Sequence, residues 1–202
     1  MSLLYWIKKI GLFHAFMLVC CVCLANDDLF KQARTLQREG KHGEAIAAFK
    51  NYLTQPVPGN ELSDEQTVRY TDALVQLMNT YQSKGEPEAC VIVLKEVFQA
   101  SPILQKNYLR DYYSVMAYAL SRTEKMKEAE ETMIKVFTLP LYHATPERYF
   151  RDYAYAAAVF YSNPNYQKEV IYWCQEALQQ ARLSHNSSGK QWDTAMLGSP
   201  YK

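Results

Sequence analysis

The chain is short of the features that usually mark a reactive centre. Its seven glycines form no phosphate-cradling loop. Its four histidines, at 14, 42, 143 and 185, lack the i, i+4 pairing of a helical zinc site. Ser184 and His185 adjoin in a polar stretch, but a serine nucleophile needs a base and an oxyanion site, which adjacency does not supply. No catalytic, metal or cofactor constellation follows from these residues, and the chain reads as a non-enzyme. No stretch alternates apolar and polar residues with period two over a useful length, so no strands are expected. Charge is balanced as well, at 22 basic against 21 acidic residues. That balance favours neither nucleic acid nor an anionic membrane surface as a partner.

Long hydrophobic runs are scarce, and the one present sits at the start. Lys8 and Lys9 precede an uncharged stretch from Ile10 to Ala25, followed by Asn26-Asp27-Asp28. Basic, then apolar, then small residues before a cut is the pattern of a secretory signal, here residues 1–25. The run has 16 residues (10 to 25), short of the ~20 a membrane helix needs. An uncleaved anchor is the alternative. A lipoprotein signal fits less well, because Val19, Cys20 and Val22, rather than a small residue, precede Cys20, Cys21 and Cys23. Removing the two lysines leaves 20 basic against 21 acidic residues, a mature charge near −1. The expected location is therefore periplasmic or secreted, with membrane contact only through an uncleaved signal or a missing C-terminal segment.

Cysteine is scarce too. Three of the five would leave with the signal, and the Cys20–Cys23 cluster is a poor metal site in a segment that is cleaved or lies in lipid. Cys90 and Cys174 remain, each at an inward position of a second helix, two repeats apart, and are expected as small buried apolar residues. Asn186-Ser187-Ser188 fits a glycosylation acceptor, which matters only in a glycosylating host.

What the chain does have is a repeat. The phrase from Gly40 to Phe49 returns from Gly85 to Leu94, from Glu124 to Met133 and from Asn165 to Cys174. The small or apolar residues Ala45, Cys90, Ala129 and Val170 keep step, at intervals of 45, 39 and 41. A period of this size means stacked supersecondary units. Punctuation divides the chain into four helical hairpins at about 27–55, 63–100, 102–139 and 145–183. Ser63 and Gln66 form a capping box. Ser101-Pro102 and Thr145-Pro146 each read as a cap followed by a first-turn proline. Ala33, Ala117 and Ala158 fall where the two helices of a hairpin approach closely, and Met78 breaks that pattern. Residues 184–202 read as a linker leading to the first half of a truncated fifth repeat or to a terminal capping helix.

These residues resemble the tetratricopeptide repeat family. The likeness rests on Gly40, Glu44, Ala45 and Phe49, then Tyr81, Gly85, Leu94 and Pro102, then Glu128, Ala129 and Met133. Ala158, Tyr161, Glu169 and Ala177 carry it in the fourth unit, and Leu197, Gly198 and Tyr201 in the last segment. The intervals exceed the family's usual length of about 34, so helices or connections are longer. The resemblance implies an all-α, right-handed superhelical solenoid of antiparallel helix pairs, with about four repeats and a partial fifth, that binds a peptide or protein in its concave groove. A narrower likeness, to the periplasmic sensory regions of bacterial histidine kinases and transcription regulators, gives the alternative of a detached sensory module. A small hydrolase or carrier with a pocket between helices is the alternative from another class.

One column marks the expected groove. Six residues before the small residue of each first helix stand Asp27, Asp72, Asp111 and Asp152. On the same side follow Phe30, Arg34 and Gln37; Val75, Asn79 and Gln82; Ser114, Tyr118 and Arg122; and Tyr155, Val159 and Asn163. The aspartates and asparagines would contact a partner's backbone, and Tyr118 and Tyr155 would anchor its side chains. Two plainer readings compete: aspartate in a helix's first turn is favoured by capping and the helix dipole, and the tyrosines can be core filler. Arg110 to Ala117 and Arg151 to Ala158 look like near duplicates in the same register.

Overall fold

The computed structural model describes residues 28–56, 62–140 and 145–188, and among them the chain is all-helical, without a strand. The expected signal, Asp27 and the segment from 189 onward lie outside the described residues. The chain divides into two compact units, with the boundary in the sequence between Asn107 and Tyr108.

The first unit holds α1 (28–38), α2 (His42–Thr54), α3 (Asp64–Lys84), α4 (Pro87–Ala100) and α5 (Pro102–Lys106). Local chemistry sets most of these limits. Ser63 and Gln66 cap α3 reciprocally, the Gln66 amide on the Ser63 hydroxyl at 3.3 Å and the Ser63 amide on the Gln66 side chain at 3.0 Å. Gly85 ends that helix at φ 73°, a left-handed conformation that costs glycine little and an L side chain ~1–2 kcal/mol. Pro87 then starts α4 where a missing amide hydrogen does no harm.

α1 and α2 run antiparallel, since Phe30 near the start of α1 meets Phe49 and Tyr52 in the second half of α2, with ring centroids 6.4 and 5.6 Å apart. α1 and α3 lie side by side, Gln37 donating to the Thr80 hydroxyl at 3.0 Å. Ala33, Ala45, Phe49, Leu53, Leu74, Leu77 and Leu94 are fully buried, and full burial of one such aliphatic or aromatic side chain contributes roughly 1.5–3 kcal/mol. Met78 is accommodated in this core.

Pro102 does not lead directly into the third pair. It opens the short helix α5, which closes with the Asn107 amide on the Ile103 carbonyl at 2.9 Å. Ser101 gives no side-chain cap because its hydroxyl is engaged elsewhere, 2.5 Å from that of Tyr70. Tyr70 in turn donates to the Leu53 carbonyl at 2.8 Å.

The second unit holds α6 (Leu109–Ser121), α7 (Met126–Thr138), α8 (Pro146–Phe160), a 3-10 turn (Pro164–Tyr166) and α9 (Gln167–Ser188). α6 pairs with α7 and α8 with α9, while α6 lies along α8. Thr145 caps α8, accepting from the Arg148 amide at 3.4 Å. Val115, Ala117, Ala129, Met133, Val136, Ala156 and Phe160 are completely enclosed. Trp173 of α9 stacks on Phe137 at 5.9 Å and tilts onto Phe160 at 5.2 Å, tying α9 to both α7 and α8.

Three expectations fail in this unit, two of them through register. Ala158 is exposed and Ala157 is buried, so burial aligns Ala117 with Ala157 and the duplicated Arg-Asp phrases are one residue out of step. On α9 the inward face is Val170, Trp173, Ala177 and Ser184, which leaves Cys174 exposed rather than buried. α9 also continues past Leu183-Ser184 to Ser188, because Ser184 is buried and donates to the Glu147 carboxylate at 2.7 Å, extending the contact with α8.

Candidate functional site

The expected groove column divides differently in the two units. In the first, Phe30, Arg34, Asp72 and Asn79 are half-buried, and Val75 is buried in the core and faces no groove. A chain of hydrogen bonds joins the polar members across two helices. Arg34 donates to Gln37 at 3.1 Å, Gln37 to the Thr80 hydroxyl at 3.0 Å, Thr80 to the Gln76 carbonyl at 2.6 Å, and Gln76 to Asp72 at 3.0 Å. This fixes α1 against α3. Asp72 lies well inside α3, which starts at Asp64, so capping does not explain it.

In the second unit the aspartates turn inward. Asp111 is 1% exposed and Asp152 is 0% exposed, and this burial decides their role. Arg148 grips both oxygens of Asp111, with Nε on Oδ1 at 3.0 Å and Nη2 on Oδ2. Arg151 Nη2 bridges Asp111 at 2.5 Å and Asp152 at 3.2 Å. Arg110 Nε closes the series on Asp152 at 2.8 Å, and its Nη1 reaches the Leu139 carbonyl at 2.9 Å. Arginine suits this task, since its planar fork satisfies a carboxylate bidentately and stays charged. Three guanidiniums against two carboxylates leave a formal excess of one positive charge.

The electrostatics follow from that geometry. Burial alone would raise the pKa of Asp111, but the charge of Arg151 and the hydrogen bonds and charge of Arg148 outweigh it and hold the carboxyl below its usual range. Burial disfavours the charged form of Arg151, yet Asp111 and Asp152 reverse the balance and raise it. Ser114 Oγ and Arg151 Nε are shut from the surface without a hydrogen-bond partner among the described residues. Ser114, Asp111, Asp152 and Val159 are therefore interior groups, not groove contacts. Among the described residues no three His, Cys, Asp or Glu side chains converge as metal ligands.

What remains at the surface is aromatic. Tyr118 and Tyr155 are half-buried and stack with ring centroids 4.4 Å apart and planes 11° from parallel. The separation of 37 that brings Arg148 to Asp111 also brings Tyr155 to Tyr118, so the ion-paired cluster and the ring stack are successive rungs between α6 and α8. Arg122 follows Tyr118 by four residues on the same face and is exposed. Asn163 is diverted, donating to Glu130 at 2.7 Å and accepting from the Asn165 amide at 3.0 Å.

Of the expected site residues, the structure brings Tyr118 and Tyr155 together, links Arg34 to Asp72 through Gln37, Thr80 and Gln76, and turns Phe30 onto Phe49 and Tyr52 of α2. Sequence reasoning missed Arg110, Arg148 and Arg151 as the partners of the aspartates. The signal was available: each aspartate follows an arginine, and Arg148 stands one turn before Asp152. Comparison of the chain with protein-family models and with curated proteins returned no match.

Proposed function

We propose that the chain is an exported, non-catalytic helical scaffold that holds an extended peptide or protein segment along the exposed side of its first helices. The tetratricopeptide-like, right-handed superhelical arrangement of its hairpins is part of that proposal. The observation that carries it is the Tyr118–Tyr155 stack, a flat aromatic surface that stays half exposed while the ionic rung beneath it is sealed. A ring pair locked in place offers a large apolar contact at small entropic cost, since both side chains are ordered before binding. Arg122, exposed at the end of α6 four residues after Tyr118, supplies a cation for an acidic or carbonyl-rich segment.

The test is selection from a library of displayed random peptides by the native chain and by the Tyr118→Ala/Tyr155→Ala variant. Native protein is expected to enrich a peptide set that the variant loses. The variant should stay folded, losing about 0.5–1.5 kcal/mol of ring–ring contact in addition to the partial burial of the two side chains. Equal enrichment by both proteins would remove the groove reading.

A further inference from the structure

Two buried polar atoms between α6 and α8 are left over from the ionic network. Ser114 Oγ and Arg151 Nε are both shut from the surface, and neither has a hydrogen-bond partner among the described residues. Folded cores rarely keep even one such group, because its desolvation goes uncompensated. Register puts the two on one rung. α6 and α8 run parallel, with Asp111 meeting Arg148 and Tyr118 meeting Tyr155 at the same separation of 37. Ser114 stands 37 residues before Arg151, so the two face each other between the ionic rung and the ring stack. Those outer rungs lie seven residues apart, ~10.5 Å along the helix. Serine is the smallest of the three α6 side chains on these rungs, so the interface is least filled where the two orphan atoms lie.

We infer that a single monatomic anion, chloride in ordinary saline, is bound between Ser114 and Arg151. The Arg151 Nε–H and the Ser114 hydroxyl both donate to it, as charge-assisted hydrogen bonds. Its one negative charge cancels the excess left by three guanidiniums against two carboxylates, and buried charge is stable only when it is paired. The rest of the cluster supplies donors rather than free acceptors. Asp111 already accepts from Arg148 and Arg151, and Asp152 from Arg151 and Arg110, so all four carboxylate oxygens are engaged. A water on this rung would need acceptors for its own hydrogens and would leave the positive charge uncompensated. A phosphate or sulfate is too large for one rung and overcorrects the charge.

The test is urea unfolding of the full chain with sodium chloride replaced stepwise by sodium gluconate at constant ionic strength, which holds general screening fixed. The ion binds the folded state alone, so each tenfold rise in chloride above its dissociation constant is expected to raise the folding equilibrium constant about tenfold. Tight binding does not hide the effect, because the dependence continues past saturation. Ser114→Val removes a donor and fills the space; it is expected to fold and to lose the chloride dependence. A native chain indifferent to the exchange overturns the inference. So does an equal response of native chain and variant, which is an effect of chloride on the protein surface at large. If Ser114→Val does not fold, crystals of the native chain grown in sodium bromide decide the matter. An anomalous diffraction peak between Ser114 and Arg151 upholds the site, and no peak there, with or without an ordered water, overturns it.

Discussion

Replacing Asp111 with alanine tests the account of the second unit at its most buried point. The substitution removes the carboxylate that accepts from Arg148 and Arg151, leaving three guanidiniums around Asp152 alone and raising the formal imbalance from one charge to two. Removing one partner of a buried pair costs about 3–5 kcal/mol, because the charges left behind stay desolvated. A domain is stable by only about 5–15 kcal/mol, so the change is large enough to measure and should not abolish folding outright. Urea unfolding followed by tryptophan fluorescence reads the effect: Trp173, the one tryptophan among the described residues, belongs to the second unit and stacks on Phe137. A loss below about 1 kcal/mol would refute the claim that this cluster is a closed internal network.

The same residue gives a pH signature and a rescue. Its folded pKa is depressed, so its stabilising contribution is present above the unfolded value of about 3.9 and is lost as pH falls through the lower folded value. Native protein should therefore weaken progressively below about pH 4, and Asp111→Asn should start weaker and lose less over that interval. Replacing the trio together, as Asp111→Leu/Arg148→Met/Arg151→Leu, should regain most of the stability lost by the single change, since an apolar isostere of a buried ionic group is often neutral or better. If the triple variant is as weak as Asp111→Ala, the cost lies in packing rather than in stranded charge.

Other substitutions check the rest of the fold. Phe49→Ala should cost about 3–5 kcal/mol in thermal or urea unfolding of the first unit, since its ring is fully enclosed between α1 and α2. Gly85→Ala should cost about 1 kcal/mol through its left-handed backbone alone, because the space around its Cβ position is open. Burial pushes the Cys90 thiol up to about 12, so at pH 8 it should resist maleimide in the folded chain and react once urea is added; prompt native labelling would contradict its placement.

The hairpins were legible because their signals are local. Ala45, Phe49, Leu94, Ala129 and Met133 were chosen by spacing alone and are buried. The Ser63–Gln66 capping box, the Gly85 stop and the Thr145-Pro146 start each need information from only a few neighbouring residues, and each stands where the sequence placed it. Ser101 looked equivalent to Thr145 and differs because the tyrosine that engages its hydroxyl is 31 residues away. A cap competes with every other partner in reach, and distant partners leave no local mark.

Side-chain direction was harder to read, because it depends on which neighbour a helix finds. Asp111 and Asp152 looked like one column, yet Asp111 sits in the first turn of α6 and Asp152 lies in the interior of α8. Their shared feature is a guanidinium from across the interface, 37 and 42 residues away. The duplicated Arg-Asp phrase suggested identical register, and the shift of one residue that pairs Ala117 with Ala157 moves Tyr155 off its supposed counterpart Ser114. Tyr118 and Tyr155 meet because they lie 37 apart, the same separation that joins Asp111 to Arg148, not because they are repeat equivalents. Groove residues therefore cannot be transferred from repeat to repeat by counting along the chain. The contact that fixes one rung between α6 and α8 sets the next, so loosening the Asp111 rung should also widen the spacing of the two rings.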